Sequence, residues 1–432
     1  MQTVFITYAD SFHKDGELSL TTLSRLDLSF FDAVHVLPFF PSSSDRGFAV
    51  KDFTIVDPAF GSWSDLPRPL MVDCVFNHTS REHSWMKSHP QFYLRYKEPP
   101  STRLFRPRNS PLFTKVGDWY YWTTFSEDQI DLNLSRDELR EELEKLIELY
   151  ISRGAVLLRL DAVAYFFKDY DSISTQETHD YVKYLVSKYP QVMFVAEVNL
   201  SQEAIDEYAS YVPAYNFAFA PLMYYSLLTG DVDELVKHLN TSHKNYFTAL
   251  ATHDGIGLKA AATRIPIQTL IEDTRSKGFF ASDYELNINY FDAVGSEEKF
   301  LLAHAVLLSL AGISGVYYHS LFGSRGVHAT TPRDANRANI SYDVLEEELL
   351  SDTTRSRVYS ALKQLVLARK KYLAGDSQSA SFSDGVLTLR RGEVTCLFNF
   401  TDQEVAISPG TDVLTNKPVS SLQPFGYVWF EN

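Results

Sequence analysis

Cysteine is almost missing from this chain: Cys74 and Cys396 are the two present in 432 residues, and they lie far apart. No disulfide framework is expected, and a reducing, cytoplasmic compartment is the default. No apolar run reaches the length needed to span a bilayer, so no membrane partner is expected. The N-terminal Met1-Gln2-Thr3-Val4-Phe5-Ile6-Thr7-Tyr8 enters a strand pattern at once, with no charged leader region before it. Basic tracts are lacking too. A formal charge of −15 argues against a general nucleic-acid binder, and any anionic ligand must be met by local arginines. There is no His-Glu-x-x-His pattern, and Asp73 with His78 has no further ligands at useful spacing. Neither a metal nor another cofactor is expected. Internal repeats and low-complexity segments are absent.

What remains is an ordinary globular composition, 45% apolar and 22% charged, long enough for one large domain and a small one. Strand-like apolar runs fall near 4–8, 33–39, 70–76, 155–160, 192–197, 214–219, 247–252 and 313–319. Helical patterns separate most of them. Ser135-x-x-Glu138 reads as a capping box, followed by an apolar stripe of Leu139, Leu143, Leu146, Ile147 and Tyr150 and a closing Gly154. A second helix, from about Glu297 to Ala311, runs into Gly312 and the last strand. Eight parallel strands alternating with helices predict an α/β fold, a (β/α)8 TIM barrel over 1–78 and 135–373.

Two stretches break the rhythm. Residues 79–134 are polar, Pro-bearing and irregular, and predict an inserted loop-rich domain after the third strand. Residues 374–432 predict a small C-terminal antiparallel β-domain, with Val386–Arg390 and Val394–Phe400 as a hairpin around Arg391-Gly392-Glu393. The barrel looks trimmed. Segment 18–30 is short, and about nine residues, Ser62–Leu70, precede the third strand, too few for a full helix. An uncovered barrel flank loses stability, and a homodimer is one way to cover it.

Three acids close apolar runs: Asp161 after Ala155–Leu160, Glu197 after Val192–Ala196, and Asp254 in Thr252-His253-Asp254-Gly255. Acids at the carboxyl ends of barrel strands converge on one cleft. Like charges resist joint ionisation there, so three need a reason. Glycoside chemistry gives one, with one carboxylate attacking the sugar and another protonating the leaving oxygen. Arg159, two residues before Asp161 on the same strand face, supplies charge that keeps a nucleophile ionised. Val195, Ala196 and Val198 give Glu197 the apolar setting a proton donor needs. The aromatic content, 14% with 25 Tyr and 30 Phe, fits a stacking sugar site or an aromatic core equally well.

Val72-Asp73-Cys74-Val75-Phe76-Asn77-His78, Arg159-Leu160-Asp161-Ala162-Val163, Val195-Ala196-Glu197-Val198 and Thr252-His253-Asp254-Gly255-Ile256-Gly257 resemble, in order, the four signature regions of the alpha-amylase superfamily. Asp45-Arg46-Gly47-Phe48, Arg106-Pro107-Arg108, Trp122-Thr123-Thr124-Phe125 and Arg333-Asp334-x-Asn336-Arg337 resemble its sucrose phosphorylase subfamily. That resemblance implies Asp161 as nucleophile, Glu197 as acid/base and Asp254 as the third carboxylate. It implies His78 and His253 as donors to glucose hydroxyls, Asp45 and Arg333 as a pair pinning the far hydroxyls, Phe48 and Phe125 as walls, and Tyr165 beside the nucleophile. Asp73 is read as supporting its strand end.

Arg106 and Arg108, in the excursion that should roof the cleft, resemble the phosphorylases' arginines, and guanidinium groups suit phosphate. Arg325 on a Gly-rich loop is a further candidate. The expected activity is that of a retaining α-glucoside phosphorylase, a glycosyltransferase making α-glucose 1-phosphate and a freed acceptor through a covalent glucosyl-enzyme. Its partners would be a small α-glucoside and inorganic phosphate. A hydrolase or transglucosylase with the same acids is the alternative. A non-catalytic sugar-binding relative would carry damaged catalytic positions, and all three acids are intact. Glu285 stands where sucrose phosphorylases carry glutamine, and Tyr284-Glu285-Leu286-Asn287 is more like the glucosylglycerate and glucosylglycerol enzymes. A lone carboxylate there suits a polyol better than an acid unless arginines offset it.

Overall fold

Eight short apolar segments close into a parallel barrel in the computed structural model, which describes residues 3–104, 106, 110–241, 245–375 and 377–431. The strands are β1 (Thr3–Thr7), β2 (Ala33–Val36), β3 (Leu70–Cys74), β4 (Ala155–Leu160), β5 (Met193–Ala196), β6 (Ala214–Tyr215), β7 (Tyr246–Thr248) and β8 (Ile313–Tyr317). β8 returns to β1 with Thr3 opposite Ser314 and Phe5 opposite Val316. Strands β1, β2, β3 and β8 are buried at every position, as parallel strands covered on both faces must be. Close packing leaves no room at Gly315 of β8, where a Cβ would sit 2.6 Å from the Phe247 ring and 2.9 Å from Ile6. Gly315→Ala is therefore expected to destabilise by about 1–3 kcal/mol, read as a lower denaturant midpoint at unchanged slope.

Each expected strand region contains a barrel strand, but several are shorter than their apolar runs. Residues 33–39 contribute only Ala33–Val36, and 214–219 only Ala214–Tyr215, with a helix starting at Phe219. The runs continue because the loops above the barrel have their own core: Leu37, Phe39 and Phe40 are all buried beyond the end of β2.

The trimming is real. α1 (Ser19–Leu23) has five residues, and β2 joins β3 with no α-helix, only a 3-10 turn at Asp45–Gly47. Aromatic rings occupy that flank instead. Trp63 packs 5.2 Å from Phe39 and 6.0 Å from Tyr150, which also stacks on Phe40.

α2 (Asp137–Ser152) buries the expected stripe, and Gly154 (φ 87°) supplies the left-handed residue that ends it. The capping box does not form. Arg136 is the N-cap residue without a side-chain cap bond, because Asn133 turns the chain first and its Oδ1 accepts from the Ser135 N–H at 3.3 Å. α3 (Glu297–Ser309) starts at Ser296, whose hydroxyl accepts from the Lys299 N–H.

The excursion after β3 pairs His78–Ser80 with Gln129–Asp131 and carries a three-stranded antiparallel sheet. The C-terminal region is a four-stranded antiparallel sheet, 378–383, 386–391, 394–399 and 427–431, with a separate hairpin of 405–412 and 417–422. Two buried arginines join it to the barrel. Arg369 donates to the Leu308, Leu310 and Gly312 carbonyls, and Arg391 donates to Leu310 O at 2.6 Å. Both thereby satisfy the free carbonyls at the end of α3. Among the described residues no helix is long and apolar enough to cross a membrane.

Candidate active site

Asp161 directly follows β4 and Glu197 directly follows β5, so the alternation of apolar strands delivers both acids to the same end of the barrel. Their backbones are pinned: Asp161 N–H donates to Cys74 O at 3.2 Å, and Glu197 N–H to Leu160 O at 3.0 Å. Ala162 adopts a left-handed conformation (φ 48°), uncommon for a residue with a Cβ, and its N–H donates to Glu197 Oε2 at 2.8 Å. The backbone beside one acid therefore holds the other. Asp254 arrives differently from the expectation. β7 ends at Thr248, and Asp254 sits in a tight turn closed by reciprocal Thr252–Gly255 backbone bonds of 3.3 and 3.0 Å. Gly255 (φ 86°) is required there, since a Cβ would lie 2.2 Å from Leu286 O.

Charge is apportioned unevenly among the acids. Arg159 donates to Asp161 Oδ1 at 2.7 Å and also to Asp73, which in turn bonds His35 at 2.8 Å. Burial works to raise the Asp73 carboxyl, but Arg159 and His35 overrule it and hold it at about 2. Asp73 thus buttresses the arginine from below. Burial also works to raise Asp254, and Arg333, at 2.7 Å, with His253, Arg337 and Arg159 holds it well below the usual carboxylate range. For Asp161 and Glu197 burial wins and both are raised, with mutual repulsion contributing to Asp161 and the charge of Asp254 to Glu197. Such a pair takes up one proton as a unit. Among the described residues Asp161 keeps a guanidinium partner while Glu197 accepts from a backbone N–H, so the proton belongs on Glu197. Arg159→Met would leave Asp73 and Asp161 buried without their cation; it is expected to cost about 3–5 kcal/mol, read as a large loss of thermal midpoint.

The cleft above these acids is lined by Asp45, Phe48, His78, Phe125, Tyr165, His253 and Arg333, as well as by the three carboxylates. Phe48 stacks on His253 at 5.1 Å and 7°, and Phe125 meets Tyr165 edge-on at 5.4 Å. Both histidines are neutral, because burial lowers their pKa, to about 3 for His253. Asp45 lies in a left-handed stretch (φ 51°) whose Gly47 admits no Cβ, which would fall 2.1 Å from Pro38 O.

Asp45 and Arg333 both line the cleft; Arg337 pairs with Asp45 at 3.2 Å, and Arg333 bridges Asp254 and Glu285. Arg337, which also reaches Asp254 at 3.3 Å, was legible only as the end of the Arg333–Arg337 run. Gln129, Tyr284 and Asn199 line the cleft as well, and no spacing rule singled them out. Glu285 stands outside the inner cleft, in the groove at its mouth. Arg106 donates to Ser110 Oγ at 3.2 Å on the excursion, and Arg108 lies outside the described residues. Arg325 is a surface residue paired with Asp292 and lines neither the cleft nor that groove, because its loop folds back on the helix preceding α3.

An acid pair beneath an aromatic-walled cleft at the mouth of a (β/α)8 barrel defines a class, and comparison with known proteins agrees. The alpha amylase catalytic domain matches residues 26–361, and the chain belongs to that family. It is 35% identical to the glucosylglycerate phosphorylase of Spirochaeta thermophila, over 93% of this chain and 81% of that one. It is 28% identical to the sucrose phosphorylase of Streptococcus mutans, over 87% and 88% of the two chains. Sucrose 6F-phosphate phosphorylase from Thermoanaerobacter thermosaccharolyticum has the same fold, with a TM-score of 0.82 over 92% of this chain and 94% of that one at 23% identity. Within the family the chain belongs to the sucrose phosphorylase-like group.

Proposed function

We propose that this enzyme is a glucosylglycerate phosphorylase, transferring the glucosyl unit of a small α-glucoside to inorganic phosphate. In this reading the Asp161 carboxylate attacks the anomeric carbon while Glu197 gives its proton to the leaving oxygen, releasing the acceptor and forming a glucosyl ester. Phosphate then attacks the same carbon and gives its proton to the Glu197 carboxylate, the Asp161–carbon bond breaks, and two inversions yield α-glucose 1-phosphate with retention. Asp254, held anionic by Arg333 and Arg337, favours the positive charge that develops on the sugar ring. Phosphate is assigned to Arg106 and Arg108 on the resemblance of the Arg106-Pro107-Arg108 run, and a guanidinium suits that anion.

For the acceptor, the supporting observation is the ion pair between Arg333 and Glu285, 3.3 Å from Nη2 to Oε2, beside the greater identity to a glucosylglycerate enzyme. Glu285 is not a lone carboxylate repelling an acid. Its charge is offset in part by Arg333, which it shares with Asp254, and an acidic acceptor meets a guanidinium beside it. The test is phosphorolysis of glucosylglycerate, glucosylglycerol, sucrose and sucrose 6'-phosphate, each with and without phosphate. Glucosylglycerate should give the highest kcat/KM and only with phosphate present. Free glucose released at full rate without phosphate would make the enzyme a hydrolase.

A further inference from the structure

Lys168 is a buried cation with no part in the chemistry above. Its side chain is 0% exposed, and its Nζ is enclosed by Asp131 Oδ2 at 2.9 Å, Asn77 Oδ1 at 2.8 Å and Tyr165 O at 2.7 Å. These oxygens come from the excursion, from the loop after β3 and from the cleft wall. An ammonium has three protons and no lone pair, so the Asn77 atom facing it must be the oxygen. That sets the amide the other way round for its second neighbour: Nδ2 faces His78 Nδ1 at 3.1 Å. An amide nitrogen can only donate, so Nδ1 is the bare nitrogen of this neutral imidazole. The ring proton then sits on Nε2, which lies 3.0 Å from the Phe48 carbonyl at the cleft. Gln129 Nε2 donates one of its two protons to Asp45 Oδ2 at 3.3 Å and lies 3.2 Å from the same imidazole nitrogen.

We propose that Lys168 is a positioning residue that, through Asn77 and together with the Phe48 carbonyl, holds His78 as the Nε2–H tautomer in one orientation at the wall of the cleft. The functional half of this rests on the cleft being the glucosyl site; the tautomer half does not. The alternative is that Lys168 merely neutralises Asp131. Lys168→Met combined with Asp131→Asn, read against Asp131→Asn alone because Asp131 Oδ2 also lies 3.4 Å from Asn77 Nδ2, separates the two. It removes both charges together, and an asparagine oxygen at 131 can still accept from the Thr124 N–H, now at 2.9 Å.

In the parent enzyme, nitrogen-15 spectra of ring-labelled histidine, with His78 assigned by a His78→Gln sample, should show the proton on Nε2. A parent His78 protonated on Nδ1 overturns the proposal without any variant. The double variant should keep a thermal midpoint close to the parent's while KM for the glucoside rises about ten-fold or more and His78 ceases to be a single tautomer. A double variant with the parent's KM, or with His78 still wholly Nε2–H, leaves Lys168 a charge balancer and overturns the proposal. If glucosides prove not to be substrates, only the KM reading lapses, and the tautomer measurement still decides.

Discussion

Asp161→Asn should lower phosphorolysis by at least ~10⁴-fold, the scale seen when a residue of a catalytic unit that makes the covalent bond is removed. The substitution keeps the shape and the bond from Arg159, now 2.7 Å from Asp161 Oδ1, because an amide oxygen can accept from it as well. It removes the negative charge that the proposed mechanism directs at the sugar. Glucose and the intact glucoside should still bind, measured by calorimetry, since Phe48, His253 and Arg333 are untouched. Substantial residual turnover would move the nucleophile to another residue and dismantle the mechanism. The acid's neighbours sharpen the expectation: Arg159 is itself buttressed by Asp73, so the variant frees no second carboxylate to substitute.

Glu197→Gln should cost about 10²–10⁴-fold with a glucoside whose leaving group needs a proton, and far less with one whose leaving group departs as a stable anion. The contrast between the two substrates is the measurement. The variant also carries a pH signature. Burial, with the charge of Asp254, raises the Glu197 carboxyl despite the opposing Arg159. A carboxyl raised in the folded state contributes its stability fully below its unfolded pKa and loses it as pH rises through the folded value. The parent should therefore lose stability across that window, and Glu197→Gln should lose less, keeping only the contribution of Asp161, which burial also raises. Thermal midpoints should cross or diverge in the variant's favour as pH increases. In activity, the alkaline limb of the kcat/KM profile should move with this group and vanish from the residual rate of the variant.

Much of this was legible in the chain. The eight barrel segments announced themselves because strands buried on both faces must be apolar throughout, and such runs are short and bounded by turns. Asp161 and Glu197 could be named because each terminates a run, and the residue after a barrel strand emerges at the catalytic mouth. Asp254 was read as closing the apolar run at 247–252, but β7 ends at Thr248 and the turn that carries the acid starts at Thr252, so strand geometry alone misplaces it. Loops that carry their own apolar core, as at Leu37–Phe40, look like strand and blur every boundary. The capping box failed for a related reason: the Ser135-x-x-Glu138 pattern is local, and Asn133 just upstream offered the chain an earlier turn.

The sequence by itself determined which acids stand at strand ends, how many strands the barrel has, and that one flank lacks its helix, because covalent order and hydrophobic period carry that information. Only the tertiary structure decided which arginine serves which acid. Arg333 and Arg337 lie about 80 residues from Asp254 and far beyond Asp45 along the chain, yet they meet both over the barrel mouth. It likewise decided that Glu285 shares the Arg333 guanidinium with Asp254 and that Lys168 meets Asn77, 91 residues away along the chain. Coulomb energy depends on separation in space, and a chain that closes on itself makes neighbours that no spacing along it encodes.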